Sequence, residues 1–113
     1  MVTPTLAQEI SYLHADLCSA LADPTRLLLL YALAGKPRNV TELTQELNLS
    51  QPTASRHLRV LREHGLVRAT RQGATVYYQI VDKRIIDALD LLRSILRDSI
   101  QHRASLVDAT DVT

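Results

Sequence analysis

The sequence predicts a mainly helical domain with one small β-hairpin, about five helices and two strands in all. Three observations predict it. Twenty leucines stand among 113 residues with no Phe and no Trp, which points to a helix-rich core. Apolar residues recur at three- and four-residue spacing over most of the chain. That period breaks between Leu66 and Ile80, where β-branched and aromatic residues gather around Gly73.

Composition narrows the class. Apolar residues are 46% and charged residues 22%, the balance of a globular protein and not of a disordered one. Cys18 is the one cysteine, so no intrachain disulfide can form. The longest apolar run, Leu27 to Ala34, is far short of the roughly 20 residues that span a bilayer. No membrane partner is expected, and MVTPTLAQEI has neither the basic nor the apolar region of a secretory signal. A cytoplasmic location follows as the expectation. One domain over residues 1–102 is predicted, with residues 103–113 as a disordered tail.

Taken in order, Leu6, Ile10, Leu13, Leu17 and Leu21 mark a first helix. Asp23-Pro24 reads as N-cap and N1 of a second, buried on nearly all sides and stopped by Gly35. Lys36 to Asn39 is a connector, and Thr41 is the predicted cap of a short third helix carrying Leu43 and Leu47. Ser50 caps a fourth that begins Gln51-Pro52 and ends at Gly65. Two short helices joined by a tight turn make a helix-turn-helix candidate. Residues 66–70 and 75–80 form the hairpin, with Arg71-Gln72-Gly73-Ala74 as its turn. Asp82 is the predicted cap of a last helix bearing Ile85, Ile86, Leu89, Leu92, Ile95, Leu96 and Ile100.

A net charge of +1 conceals an asymmetry. Residues 36–78 hold seven basic residues against Glu42, Glu46 and Glu63, an excess of four, and the flanks are acidic. A basic middle suits a negatively charged partner. On the helix from Gln51, Ala54, Leu58 and Leu61 cluster on one side. Gln51, Ser55, Arg59 and Arg62 lie opposite, and Thr53 and Arg56 extend that arc. These side chains can reach base edges or phosphates, and free N–H groups at the helix start favour an anion. A solvated polar face has the same appearance, but the preceding turn and the Arg71-bearing hairpin favour double-stranded DNA.

The strings Asp23-Pro24-Thr25-Arg26-Leu27, Val40-Thr41-Glu42-Leu43, Leu49 to Leu58, Leu61 to Val67 and Arg71-Gln72-Gly73 through Tyr77-Tyr78 resemble the ArsR/SmtB family over about residues 16–96. The resemblance implies a bacterial winged helix-turn-helix repressor. It implies a homodimer that binds a near-palindromic operator and leaves it when an inducer binds. Ser50, Gln51, Thr53, Ser55, Arg56 and His57 match the start of the family's recognition helix, and Arg71, Gln72 and Gly73 match its wing tip. His57, at the edge of the core face, is open to two readings: a DNA contact or a half-buried packing residue.

The family's familiar metal positions are altered here. A thiolate site would need cysteines where Asn39, Thr41 and Thr44 stand. A second site reads Asp82, Arg84, Ile95 and Asp98, with carboxylates but no imidazole. No metal and no cofactor is therefore expected. The pairs His14/Cys18 and Asp98/His102, each at i,i+4, suit either an atypical site across a dimer or simple packing. Cys18 lies near a helix C-terminus beside Asp16, which disfavours thiolate. No catalytic residue is identified, since no phosphate loop or nucleophile motif is present. The competing class is a winged-helix module that binds protein without reading DNA. A small core covers only part of the first and last helices, so Leu6, Ile10, Leu13, Leu17, Leu89, Leu92 and Leu96 are expected to face a twofold partner.

Overall fold

A computed structural model describes the backbone of residues 4–112 and the side chains of residues 5–106. The chain parts into two compact units after Asp82, inside the single unit predicted over residues 1–102. The first holds α1 (Pro4–Tyr12), a π-helical segment (Leu13–Cys18), α2 (Ser19–Leu21), α3 (Pro24–Leu33), β1 (Arg38–Asn39), α4 (Val40–Leu47), α5 (Gln51–Glu63), β2 (Val67–Gln72) and β3 (Thr75–Ile80). The second is α6 (Arg84–Val112).

The first predicted helix is thus one helical course broken by a widened turn. The Ser19 N–H reaches back five residues to the His14 carbonyl, the bonding of a π-helix, and no side chain of that segment is buried. Asp23 caps α3 by accepting from the Arg26 N–H at 3.1 Å. This contact holds the Asp23 carboxyl below the usual carboxylate range. Leu29, Leu30, Ala32 and Leu33 of α3 are buried, but Leu28 is 54% exposed, so the helix has one open side. It ends at Leu33, and Gly35 does not take the left-handed conformation expected of a helix stop.

The cap of α4 is Asn39 and not Thr41. The Asn39 side chain accepts from the Glu42 N–H at 2.8 Å, and Glu42 Oε1 accepts from the Asn39 N–H at 3.0 Å. Glu three residues after Asn closes that reciprocal box, and Thr41 has no such partner three positions on. The connector also contributes a strand. Arg38 pairs with Tyr78 and Asn39 with Tyr77, giving an antiparallel sheet of order β1-β3-β2. Arg38 is pinned there by its Nε donating to the Ala32 carbonyl at 2.8 Å and by an ion pair with Glu46 at 2.9 Å.

The start and stop of α5 agree with the sequence. Ser50 Oγ accepts from the Thr53 N–H. At the other end Gly65 adopts φ +75°, with Gly65 N–H donating to the Arg62 carbonyl and Leu66 N–H to the Leu61 carbonyl. The hairpin strands run further than expected, to Gln72 opposite Thr75, so Arg71 and Gln72 lie on a strand and the turn is Gly73-Ala74 with Gly73 at φ +64°. The core of this unit comprises Leu29, Leu30, Leu43, Leu58, Leu61 and Val67, joined by Ala20, Ala54, Leu66 and Ile80.

By itself, α6 is a 29-residue amphipathic helix. It begins at Arg84, and the Asp87 N–H bonds the Lys83 carbonyl, so its first turn opens after the predicted cap Asp82. Leu91, Leu92, Ile95, Leu96, Ile100 and Leu106 are exposed. Leu89, also expected at a partner, is 7% exposed. The helix continues through residues 103–112, where the sequence reading has a loose tail. No Gly or Pro interrupts that stretch, so nothing in the local backbone stops it. Thr113 lies outside the described residues.

Candidate nucleic-acid interface

The start of α5 sets the site. Ser50 both accepts from the Thr53 N–H and donates to Thr53 Oγ1 at 2.9 Å, so these two hydroxyls lock the first turn. Pro52, in the first turn, spends no donor there. With Ala54, Leu58 and Leu61 buried, the opposite arc is forced outward. Ser50, Gln51, Ser55, Arg56, Arg59 and Arg62 are exposed, and Thr53 is half-buried. Among the described residues no carboxylate pairs with Arg56, Arg59 or Arg62, so these guanidiniums present uncompensated donors.

The hairpin supplies a second basic element. Arg71, Gln72 and Gly73 are exposed at its tip. Arg68 stands opposite Gln79 on the neighbouring strand. Gln79, with its amide turned so that Oε1 faces the guanidinium, accepts from it, so Arg68 is held against the hairpin. Arg71 has no such partner among the described residues.

His57 stands apart from the other predicted residues. It is 8% exposed, and its Nδ1 lies 3.2 Å from Arg26 NH1. Its ring is a packing and hydrogen-bonding group, which corrects its inclusion on the DNA-reading arc. Arg26, which sequence reasoning passed over, is the partner. The two are 31 residues apart, and no spacing rule connects them.

Among the described residues no cluster of three or more His, Cys, Asp or Glu could hold an ion. His14 and Cys18 are exposed on the π-helical segment. No helix of the described residues is long and apolar enough to cross a membrane.

Taken together, a capped helix with an unpaired basic arc, followed by a hairpin with an exposed Arg tip, forms a surface fitted to a polyanion with base edges. Comparison with known proteins agrees with this geometry. The family model described as bacterial regulatory protein, arsR family, matches residues 23–69. A helix-turn-helix-type transcriptional regulator of Methanocaldococcus jannaschii is 38% identical over 79 residues, covering 69% of this chain and 89% of that protein. A probable mercury resistance operon repressor of Streptomyces lividans is 35% identical over 108 residues, covering 88% and 86%. Among solved structures, the homodimeric winged helix-turn-helix DNA-binding domain of a possible ArsR-family regulator from Mycobacterium bovis superposes with a TM-score of 0.75 at 28% identity. That superposition covers 88% of this chain and 92% of the other.

Proposed function

This chain belongs to the arsR family of bacterial regulatory proteins and is a DNA-binding transcriptional regulator, not an enzyme; from that premise we propose that it acts as a cytoplasmic homodimeric repressor on a near-palindromic operator. The observation that carries the reading is the exposed arc of α5, where Gln51, Ser55, Arg56 and Arg59 lie free on one side while Ala54, Leu58 and Leu61 fill the core on the other. Arg and Gln are the side chains that pair bidentately with G and A in the major groove. Arg71 and Gln72 at the hairpin tip then reach phosphates or the minor groove.

Dimerisation is supported by apolar surface on each unit. On the amino-terminal course Leu6, Ile10 and Leu13 are exposed, and on α6 Leu92 and Leu96 are 60% and 57% exposed. A monomer leaves this surface in water, whereas a twofold pair buries it in an isologous interface. The operator is then read twice, by recognition helices about 34–36 Å apart in successive major grooves. Release comes from a signal other than the family's thiolate metals, since Asn39, Thr41 and Thr44 provide no thiol.

Fluorescence anisotropy tests this on two duplexes, one selected by the protein from a random pool and one of scrambled sequence. Affinity for the scrambled duplex falls steeply with salt, because each neutralised phosphate contributes a slope of roughly −0.9 in log K against log salt. The selected duplex binds at least about 10³-fold more tightly at physiological salt. Equal affinity for the two duplexes contradicts the proposal.

A further inference from the structure

Arg26 stands where three elements meet. Its Nε donates to the Ala20 carbonyl at 2.6 Å and its NH2 to the Ser19 carbonyl at 3.3 Å, so two carbonyls of α2 end on one guanidinium. Its NH1 lies 3.2 Å from Nδ1 of the buried His57 on α5. A guanidinium has donors only, so Nδ1 is the acceptor in this contact. The Arg26 backbone is fixed in turn by the Asp23 cap.

We propose that Arg26 and His57 are positioning residues, whose hydrogen bond sets the rotation of α5 about its own axis and so decides which side chains of the exposed arc reach the bases. The proposal rests on the reading of α5 as the DNA-reading helix. The remaining anchors of α5 in the core are Ala54, Leu58 and Leu61, and apolar contact is non-directional. A hydrogen bond has both length and direction. Side chains stand about 6 Å from a helix axis, so a rotation of about 10° moves them by roughly 1 Å, enough to spoil a bidentate contact. His57 adjoins Arg56 in the chain and lies two residues from Ser55 and from Arg59. Fixing its ring therefore fixes all three. Because the same guanidinium holds Ser19 and Ala20, the setting of α5 is tied to the amino-terminal course. A second contact between those parts, His64 Nδ1 to Asp16 Oδ1 at 3.8 Å, is too long for a hydrogen bond and serves as a control.

The test uses the full chain, the duplex selected by the wild type from a random pool, and a scrambled duplex. Thermal unfolding followed by circular dichroism reports folding. His57→Leu keeps most of the volume and removes the acceptor. His57→Asn places Oδ1 close to where Nδ1 stood. Arg26→Lys keeps the charge but cannot span three acceptors. Expected is a loss of about tenfold on the selected duplex for His57→Leu and Arg26→Lys, the scale of one base contact, with scrambled-duplex affinity within about threefold. His57→Asn and the control His64→Asn stay within about threefold of wild type on both duplexes. A folded His57→Leu that binds the selected duplex like wild type overturns the proposal, as does His57→Asn losing as much as His57→Leu. If His57→Leu does not fold, wild-type affinity in Arg26→Lys overturns it instead. If the wild type selects no duplex at all, the DNA-reading role fails and this inference with it; selection by the wild type combined with indifferent variants removes the inference alone.

Discussion

Arg56 and His57 are neighbours in the chain with opposite surroundings: the first is exposed and without an ion-pair partner among the described residues, the second buried against Arg26. A helical wheel places His57 at the margin of the core face, so the angle alone leaves both readings open. Its 31-residue separation from Arg26 hides the deciding contact from any local pattern. The exposed arc was legible because three core positions on one side fix where the other side points. This predicts a division among substitutions. Arg56→Ala and Gln51→Ala each weaken binding to the selected duplex by about 1–3 kcal/mol and binding to scrambled DNA far less, because each removes a base-edge contact. Arg71→Ala weakens both about equally and lowers the salt slope by about one, because it removes a phosphate contact. Anisotropy titrations at several salt concentrations check the three together. Asp23 yields a pH prediction. The hydrogen bond from the Arg26 N–H favours its ionised form and outweighs the opposing effect of desolvation, so its folded value lies below the ordinary 3.8. Its contribution to stability is therefore complete above that value and is lost as pH falls through the lowered folded value. Asp23→Asn keeps a capping oxygen and removes this titration. Urea midpoints at pH 7 and pH 3 should differ less in the variant than in the wild type, and an unchanged difference argues against the cap.

At the scale of elements, what the sequence signals is what has a local cause. Ser50 and Gly65 bracket α5 because a hydroxyl can satisfy an early N–H and a glycine can take φ +75° without strain. The hairpin is announced by its change of period and by Gly73. The strand Arg38–Asn39 is not, because two residues have no periodicity and its pairing with Tyr78 and Tyr77 is set by tertiary structure. The π-helical segment is equally silent, since Leu13 and Leu17 keep α-helical spacing through it. The α4 cap was visible in the Asn39-to-Glu42 interval, but Thr41 draws attention because it precedes an acidic first turn. Two stability predictions belong here. Asn39→Ala destabilises the protein by about 1 kcal/mol, the usual cost of a lost cap, as read from urea denaturation. Gly65→Ala destabilises by about 1 kcal/mol or more through backbone strain alone, since a Cβ there meets no atom within 4 Å. A neutral Gly65→Ala is incompatible with the left-handed helix stop.

For the whole molecule, the two units each bring exposed apolar residues, and the exposed arc of α5 occurs once per chain. A palindromic site needs it twice. Leu92→Glu and Leu96→Glu are thus expected to give monomers in sedimentation and to abolish binding to the selected duplex, with the fold kept, because both side chains are more than half exposed. Leu89 is unsuited to this test, since its side chain is only 7% exposed and a charge there would be desolvated. The altered ligand positions make a further prediction. Micromolar zinc, cadmium or arsenite leaves the protein on its duplex, because Asn39, Thr41, Thr44, Arg84 and Ile95 supply neither thiolate nor imidazole. If a metal does release it and His14→Ala with Cys18→Ser abolishes the response, the amino-terminal course holds a sensor site after all. The reading of DNA by paired α5 helices is tested most directly by sequencing duplexes enriched from a random pool and footprinting the best of them. The expected result is a near-palindrome whose half-sites are centred about 10–10.5 base pairs apart, or a multiple of that. It should be protected on one face and lose its enrichment with Arg56→Ala. A pool that enriches no sequence, or enriches the same one with Gln51→Ala and Arg56→Ala, would contradict it.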